Sequence, residues 1–220
     1  MPPRTRYRNQ VNRRLAALMF FLALVVADVF VWRQVEAPRG LVVRVLMPGA
    51  VLVTAPSGRT LLYGAGPDAS ILRALGEALP YGERRLDIIV EAAPATAEAG
   101  GLPSVLARYR VGALINAGEA PSAALAAAES GAGLAPRGAA RGMRLELGGA
   151  EADVLFPDRD VSGASAAEQV VVLALRAASS TVLLDDAPAA LEPYLVKLNE
   201  NEPIPGLVIS TSTPAGAYRF

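Results

Sequence analysis

Residues 86–115 read LDIIVEAAPATAEAGGLPSVLARYRVGALI. The run Leu86 to Val90 has the length and branching of a short buried strand. VGALINA (111–117) is a second such run. Between them PSVLARY (103–109) reads as a helix with Pro at its start, where the missing N–H costs nothing. Strands and helices alternating in this way place the chain in the α/β class. What remains is EAAPATAEAGGL (91–102), a loop of alanines, one threonine and two glutamates that ends in a double glycine. Whether that loop does chemistry is the central question.

The alternation continues outward. LVVRVL (41–46) and VLVTA (51–55) are strands, APSGR (55–59) is a turn, and RTLLYG (59–64) pairs back as a hairpin. ASILRALGEAL (69–79) puts Ile71, Leu72, Leu75 and Leu79 on one helical face. PSAALAAAES (121–130) is a short Ala-rich helix within a loosely packed surface segment, 117–141. MRLEL (143–147) and ADVLF (152–156) are hairpin partners across Gly148-Gly149, and VVVLALRA (170–177) pairs with TVLLD (181–185). APAALEPYLVKL (187–198) reads as a helix and GLVIS (206–210) as a final strand.

Composition removes whole classes of chemistry. The chain has 220 residues with no Cys and no His. Disulfides, thiolate nucleophiles, Ser–His–Asp triads and conventional zinc sites are excluded. Any metal would be a hard ion such as Mg²⁺ or Mn²⁺ held by carboxylates and carbonyls.

The net charge of zero hides an asymmetry: six Arg against one Asp up to residue 33, and 15 basic against 20 acidic residues after it. The acidic remainder is a poor match for nucleic acid unless Arg84, Arg85, Arg108 and Arg110 gather on one face.

Arg4, Arg6, Arg8, Arg13 and Arg14 precede LAALMFFLALVVADVFVW, Leu15 to Trp32, whose one charge is Asp28. At 1.5 Å per residue that run is about 27 Å long, close to a bilayer's hydrocarbon thickness. Residues 1–14 are then a basic cytoplasmic N-terminus and 15–33 a single transmembrane anchor in the cell membrane, with the rest extracytoplasmic. A cleaved signal peptide is the rival. Residues 34–40 are a linker and 41–220 the main domain.

APSGRTLL (55–62), GAGPD (64–68), ILRALGEALPYGERRLDIIV (71–90), GGLPSVLARYRVGALI (100–115) and VVVLALRAASSTVLLDDA (170–187) together resemble the metallo-β-lactamase-like domain of ComEC-type DNA-uptake proteins. The resemblance implies an αββα sandwich: two mixed sheets face to face with helices outside, here truncated toward the C-terminus. In that family the loop reads T-H-x-D-x-D-H-x-G-G-L. Its His positions fall here on Ala93 and Glu98, its Asp positions on Ala95 and Ala97, while Gly100 and Gly101 remain. Other family acids are replaced too, and in LLDDA (183–187) Asp186, or Asp185, is the one survivor that the resemblance implies. MPGA (47–50) and LYGAG (62–66) stand where acidic loops would be, and LVKLNENEP (195–203) puts Glu200 and Asn201 at histidine positions.

The resemblance thus implies a metal loop whose ligands are gone. The expected result is a non-catalytic domain, with no cofactor, that binds or assembles at the membrane. Its former cleft is lined by Ala93, Ala95 and Ala97. The alternative is a hydrolase holding Mg²⁺ or Mn²⁺ at Glu98, Asp186 and Glu200, with Glu202 nearby. The bland reading of Asp186 is an N-cap for the helix after it. Tyr63 and Tyr81 read as packing residues. Lys197, the one Lys, leaves a Ser–Lys arrangement with the hydroxyl run Ser210 to Thr213 formally open.

Overall fold

The structure is a computed structural model that describes residues 18–28, 40–118, 122–165, 168–177, 180–198, 207–209 and 215–220. The chain divides into two compact units, Met1–Ala37 and Pro38–Phe220. In the first, α1 (18–28) is helical and its side chains are exposed, Phe20 and Phe21 by 68% and 67%. The expected transmembrane helix finds no support here: among the described residues no helix is long and apolar enough to cross a membrane. Leu15, Trp32, Arg33 and the five leading arginines lie outside the described residues.

The second unit begins with an antiparallel meander: β1 (Val42–Met47), β2 (Ala50–Thr54) and β3 (Thr60–Tyr63). After α2 (Ile71–Ala78) the chain returns as β4 (Arg85–Val90), parallel to β3. The short α3 (Thr96–Ala99) and then α4 (Leu102–Arg108) lead to β5 (Arg110–Asn116), parallel to β4. Helical crossovers are what parallel neighbours require. After α5 (Ala123–Ala132), the two-residue β6 (Arg137–Gly138) adds to β5. The second sheet holds β7 (Arg144–Glu146), β8 (Glu151–Phe156), β9 (Val172–Ala177), β10 (Ser180–Leu184) and, after α6 (Glu192–Leu198), β11 (Leu207–Ile209). The last strand, β12 (Gly216–Arg219), crosses back to the first sheet beside β1. The orders are β12-β1-β2-β3-β4-β5-β6 and β11-β10-β9-β8-β7.

Alternation along the strands fixes the layers. Val43, Val45, Val51, Val53, Leu61 and Tyr63 join Leu147, Val154, Leu173 and Val182 in one core between the sheets. Leu52, Leu62, Ile89 and Leu114 face the other way, against Ile71 and Leu75 of α2, Val105 and Leu106 of α4 and Leu125 of α5. β2 and β3 are therefore buried on both faces, and each fully buried Leu contributes roughly 2 kcal/mol. Helices, sheet, sheet: three layers of the expected sandwich are complete. The fourth is thin. α6 inserts Leu195, and Tyr194 meets Phe156 edge-on at 6.4 Å. On the same outer face Asp153 accepts from Arg144 and Arg176.

Three expectations change. The helix expected over 187–198 begins only at Glu192, and Asp186 does not cap it; Asp185 instead accepts from the Ala187 N–H at 2.8 Å, closing a turn. The segment 117–141 is not loose throughout, since α5 buries Leu125 and Glu129 and is capped by Ser122. The C-terminal residues also supply β12, a strand that no sequence pattern announces.

Candidate functional site

β1 is antiparallel to β2 and β2 to β3, so β1, β3, β4 and β5 all run the same way. Their carboxyl ends share one edge, the usual place for chemistry in α/β sheets. The loops there are 47–50, 64–70 and 91–101, those singled out by the sequence.

The three loops are closed on one another through their backbones. The Ala65 N–H donates to the Glu98 carbonyl, Gly66 N–H to Gly49 O at 2.9 Å, and Gly101 N–H to Gly66 O at 2.8 Å. A Cβ on Gly49 would overlap the Ala97 carbonyl oxygen, and one on Gly64 would overlap the Gly49 carbonyl oxygen. Both have positive φ, +81° and +68°, which favours glycine on conformation alone. Gly101 is pressed against the Ala65 and Asp68 carbonyls in the same way.

The three alanines do not line a common cleft. Ala93 is buried in the inter-sheet core, whereas Ala95 and Ala97 are exposed. Glu98 lies on α3 with its Oε2 buried and without a hydrogen-bond partner among the described residues. Burial pushes its carboxyl up, and the Asp186 charge adds to the effect. The Asp186 charge therefore reaches Glu98. Glu200 and Glu202 lie outside the described residues.

Two further residues belong to this acidic group. Burial pushes the Asp185 carboxyl up, the Ala187 N–H opposes it, and Asp186 and Glu192 reinforce it. Tyr63 is fully buried beneath them, and its hydroxyl donates to the Val171 carbonyl at 2.6 Å. Its phenol is raised well above the ordinary value by burial first, then by Asp186, Asp185 and Glu98. Tyr63 packs as expected, but its position under the acids was not legible. The alternation of β3 gives its direction and says nothing of what lies above it.

At the opposite edge, where β4 and β5 start, Gly82 to Arg85 and Arg110 to Gly112 line an open depression of about 500 Å³. Arg84, Arg85 and Arg110 thus do share one face. Tyr81, expected to pack, is fully exposed at 107%.

No protein-family model and no curated protein matches the sequence. Solved structures do match the fold. A B3 metallo-β-lactamase characterised with an active-site glutamic acid superposes with a TM-score of 0.54 at 14% identity, over 82% of this chain and 80% of that one. MEM-A1, a subclass B3 enzyme from a soil metagenome, gives 0.52 at 15% over 80% and 78%. A variant of the CmlA β-hydroxylase gives 0.51 at 15%, over 74% of this chain but 34% of that one. The fold is the metallo-β-lactamase fold. The likeness is one of architecture, and these structures do not single out the ComEC-type domain.

The metal centre that the name metallo-β-lactamase implies does not fit the residues present. There is no imidazole or thiolate anywhere in the chain. Among the described residues no group of three or more His, Cys, Asp or Glu is placed to hold an ion. Backbone atoms of Gly49, Gly64 and Ala97 occupy the junction of the three loops.

Proposed function

We propose that this chain is a membrane-anchored binding or assembly domain built on a metallo-β-lactamase fold, without metallohydrolase activity. The observation that carries the proposal is the closure of the three strand-end loops, backbone against backbone at Gly49, Gly64 and Ala97. A reacting molecule would have to separate main-chain hydrogen bonds to enter there.

The membrane part of the proposal rests on the apolar run Leu15 to Trp32, on the leading arginines, and on the exposed apolar face of α1. It places the N-terminus in the cytoplasm and the domain outside it. A link to DNA uptake, and so nucleic acid as a partner, follows only from the ComEC-like stretches in 55–115. Elemental analysis and calorimetry of the full chain in detergent, with Zn²⁺, Mn²⁺ and Mg²⁺, test the non-catalytic reading. No stoichiometric binding is expected; one ion per chain at micromolar affinity would overturn it.

A second reading is favoured by the unpartnered Glu98 Oε2 beside Asp186. It is a hydrolase that holds a hard divalent ion on Glu98, Asp186 and a third carboxylate such as Glu200. Divalent-dependent hydrolysis abolished by Asp186→Ala would select it.

A further inference from the structure

We infer that the edge of the first sheet formed by the starts of β1, β3, β4 and β5 is a docking face for an anionic lipid bilayer, with Tyr81, Arg84 and Arg110 as its contacts. The inference rests on the membrane-anchored reading and adds which face of the domain meets the lipid.

Strand direction makes the first part of the case. Because β1 runs parallel to β3, β4 and β5, the chain enters the domain at Gly40 on the same edge that carries the starts of β4 and β5. β4 and β5 are three and four strands from β1, so the patch lies roughly 14–19 Å across from that entry point. The seven residues 34–40 reach at most about 25 Å whatever their conformation. An anchor upstream would tether the domain at that edge.

Chemistry makes the second. The in-register pairing Arg85↔Arg110 sets two guanidinium side chains side by side. Arg84 lies over the Tyr109 ring at 5.8 Å, and Arg108 closes α4 beside them. Arg219, opposite Val42, and Arg59, just before β3, lie on the same edge. Two carboxylates share this edge. Arg85 is paired with Asp87 and Arg59 donates to the Glu146 carbonyl, so Arg84 and Arg110 carry the face. Glu83 accepts from the Arg84 and Arg85 backbone N–H groups, and Asp87 from Arg85 and the Thr60 N–H.

Tyr81 stands at 107% exposure on the turn Pro80-Tyr81-Gly82, whose Gly82 has φ +82°. An exposed Tyr on the turn that leads into Arg84 and Arg85 suits the headgroup layer, where the ring enters the interface and the cations meet phosphates. A nucleic-acid strand would need a cationic track along the surface. Here Arg84, Arg85 and Arg110 form a local cluster on a domain that is acidic after residue 33, with 20 carboxylates against 15 bases.

The test uses the full chain in vesicles of phosphatidylcholine alone or with phosphatidylglycerol, each with brominated acyl chains as quencher. The chain's one Trp, Trp32, reports the anchor. A Trp32→Phe/Tyr81→Trp variant reports the face. The expected result is a blue shift and quenching of the Tyr81→Trp probe with phosphatidylglycerol only, reversed by high salt. Arg110→Gln in that variant should lower the docked population about fivefold with thermal unfolding unchanged, and Arg84→Gln should do the same with a small loss of stability from its contact with Tyr109. Equal probe emission in both vesicles, with Trp32 quenched in both, overturns the docking face and leaves the anchor standing. An unquenched Trp32 overturns the anchor, and the phosphatidylglycerol-dependent shift then decides the face by itself. A shift produced by a single-stranded oligonucleotide and not by the anionic vesicles overturns the proposal in favour of nucleic acid.

Discussion

Gly49 and Ala97 approach so closely that no side chain fits between them: a Cβ on Gly49 would overlap the Ala97 carbonyl oxygen. Gly64 meets the Gly49 carbonyl in the same manner. Gly49→Ala and Gly64→Ala should therefore each cost at least ~2 kcal/mol, from backbone strain and a clash that only main-chain movement can relieve. Gly58 is the control: its φ is +83° but nothing lies within 4 Å of its Cβ position, so Gly58→Ala should cost about 1 kcal/mol. Urea unfolding of the three variants checks the contrast. Equal costs would mean that the loops are not closed on each other.

Tyr63 ties the sheets together at that same end. Its hydroxyl donates to Val171 O, while the Val171 N–H donates to Ala92 O at 2.9 Å, so both polar groups of one residue in the second sheet's approach are held by the first. Tyr63→Phe leaves a buried carbonyl without its donor and should cost about 1–2 kcal/mol. The readout is the denaturation midpoint at constant m-value. No change would show that water or another donor replaces the phenol.

The fold was legible wherever periodicity was strong. The meander from Val42 to Tyr63 and the Ile71/Leu75/Leu79 face declare themselves, because both faces of β2 and β3 and one face of α2 are apolar. β12 was not legible: GAYR is short and mostly exposed, and only its register with β1, Val43↔Tyr218, makes it a strand. The late start of α6 had a local signal in Pro193, which is tolerated only in a helix's first turn.

At the site, the sequence singled out the loops that the structure closes on one another. It missed the closure, because contacts between main-chain atoms of separate loops leave no trace except glycine. The arginine face was likewise hidden until the parallel register of β4 and β5 brought Arg85 beside Arg110.

Glu98 gives a pH signature. Burial and Asp186 raise its carboxyl in the folded chain, so the folded state holds that proton more tightly than the unfolded state. The stability from this proton is fully present below about pH 4, the ordinary carboxylate value, and is lost as pH rises through the raised one. Asp185, also raised, acts in the same direction. Glu98→Gln should therefore be more stable than the parent at pH 7, with the gap closing toward pH 4. The lowered carboxyls of Asp68, Asp160 and Glu168 act oppositely but are common to both proteins and cancel. Melting temperatures from pH 4 to pH 8 decide the matter; a variant less stable at pH 7 would place Glu98 in a stabilising ion pair or metal site.

Rebuilding the family's loop should fail one residue at a time in a definite pattern. Ala93 is buried between the sheets, so Ala93→His forces an imidazole into a packed core and should cost about 1–3 kcal/mol. Ala95 and Ala97 are exposed, so Ala95→Asp and Ala97→Asp should each stay within about 0.5 kcal/mol of the parent. An open cleft lined by all three would tolerate all three substitutions equally, and the combined variant would then gain metal affinity in calorimetry. In a closed loop the first position alone is costly. The combined variant should unfold earlier without binding Zn²⁺, because Gly49 and Gly64 still bring backbone, not ligands, to the junction.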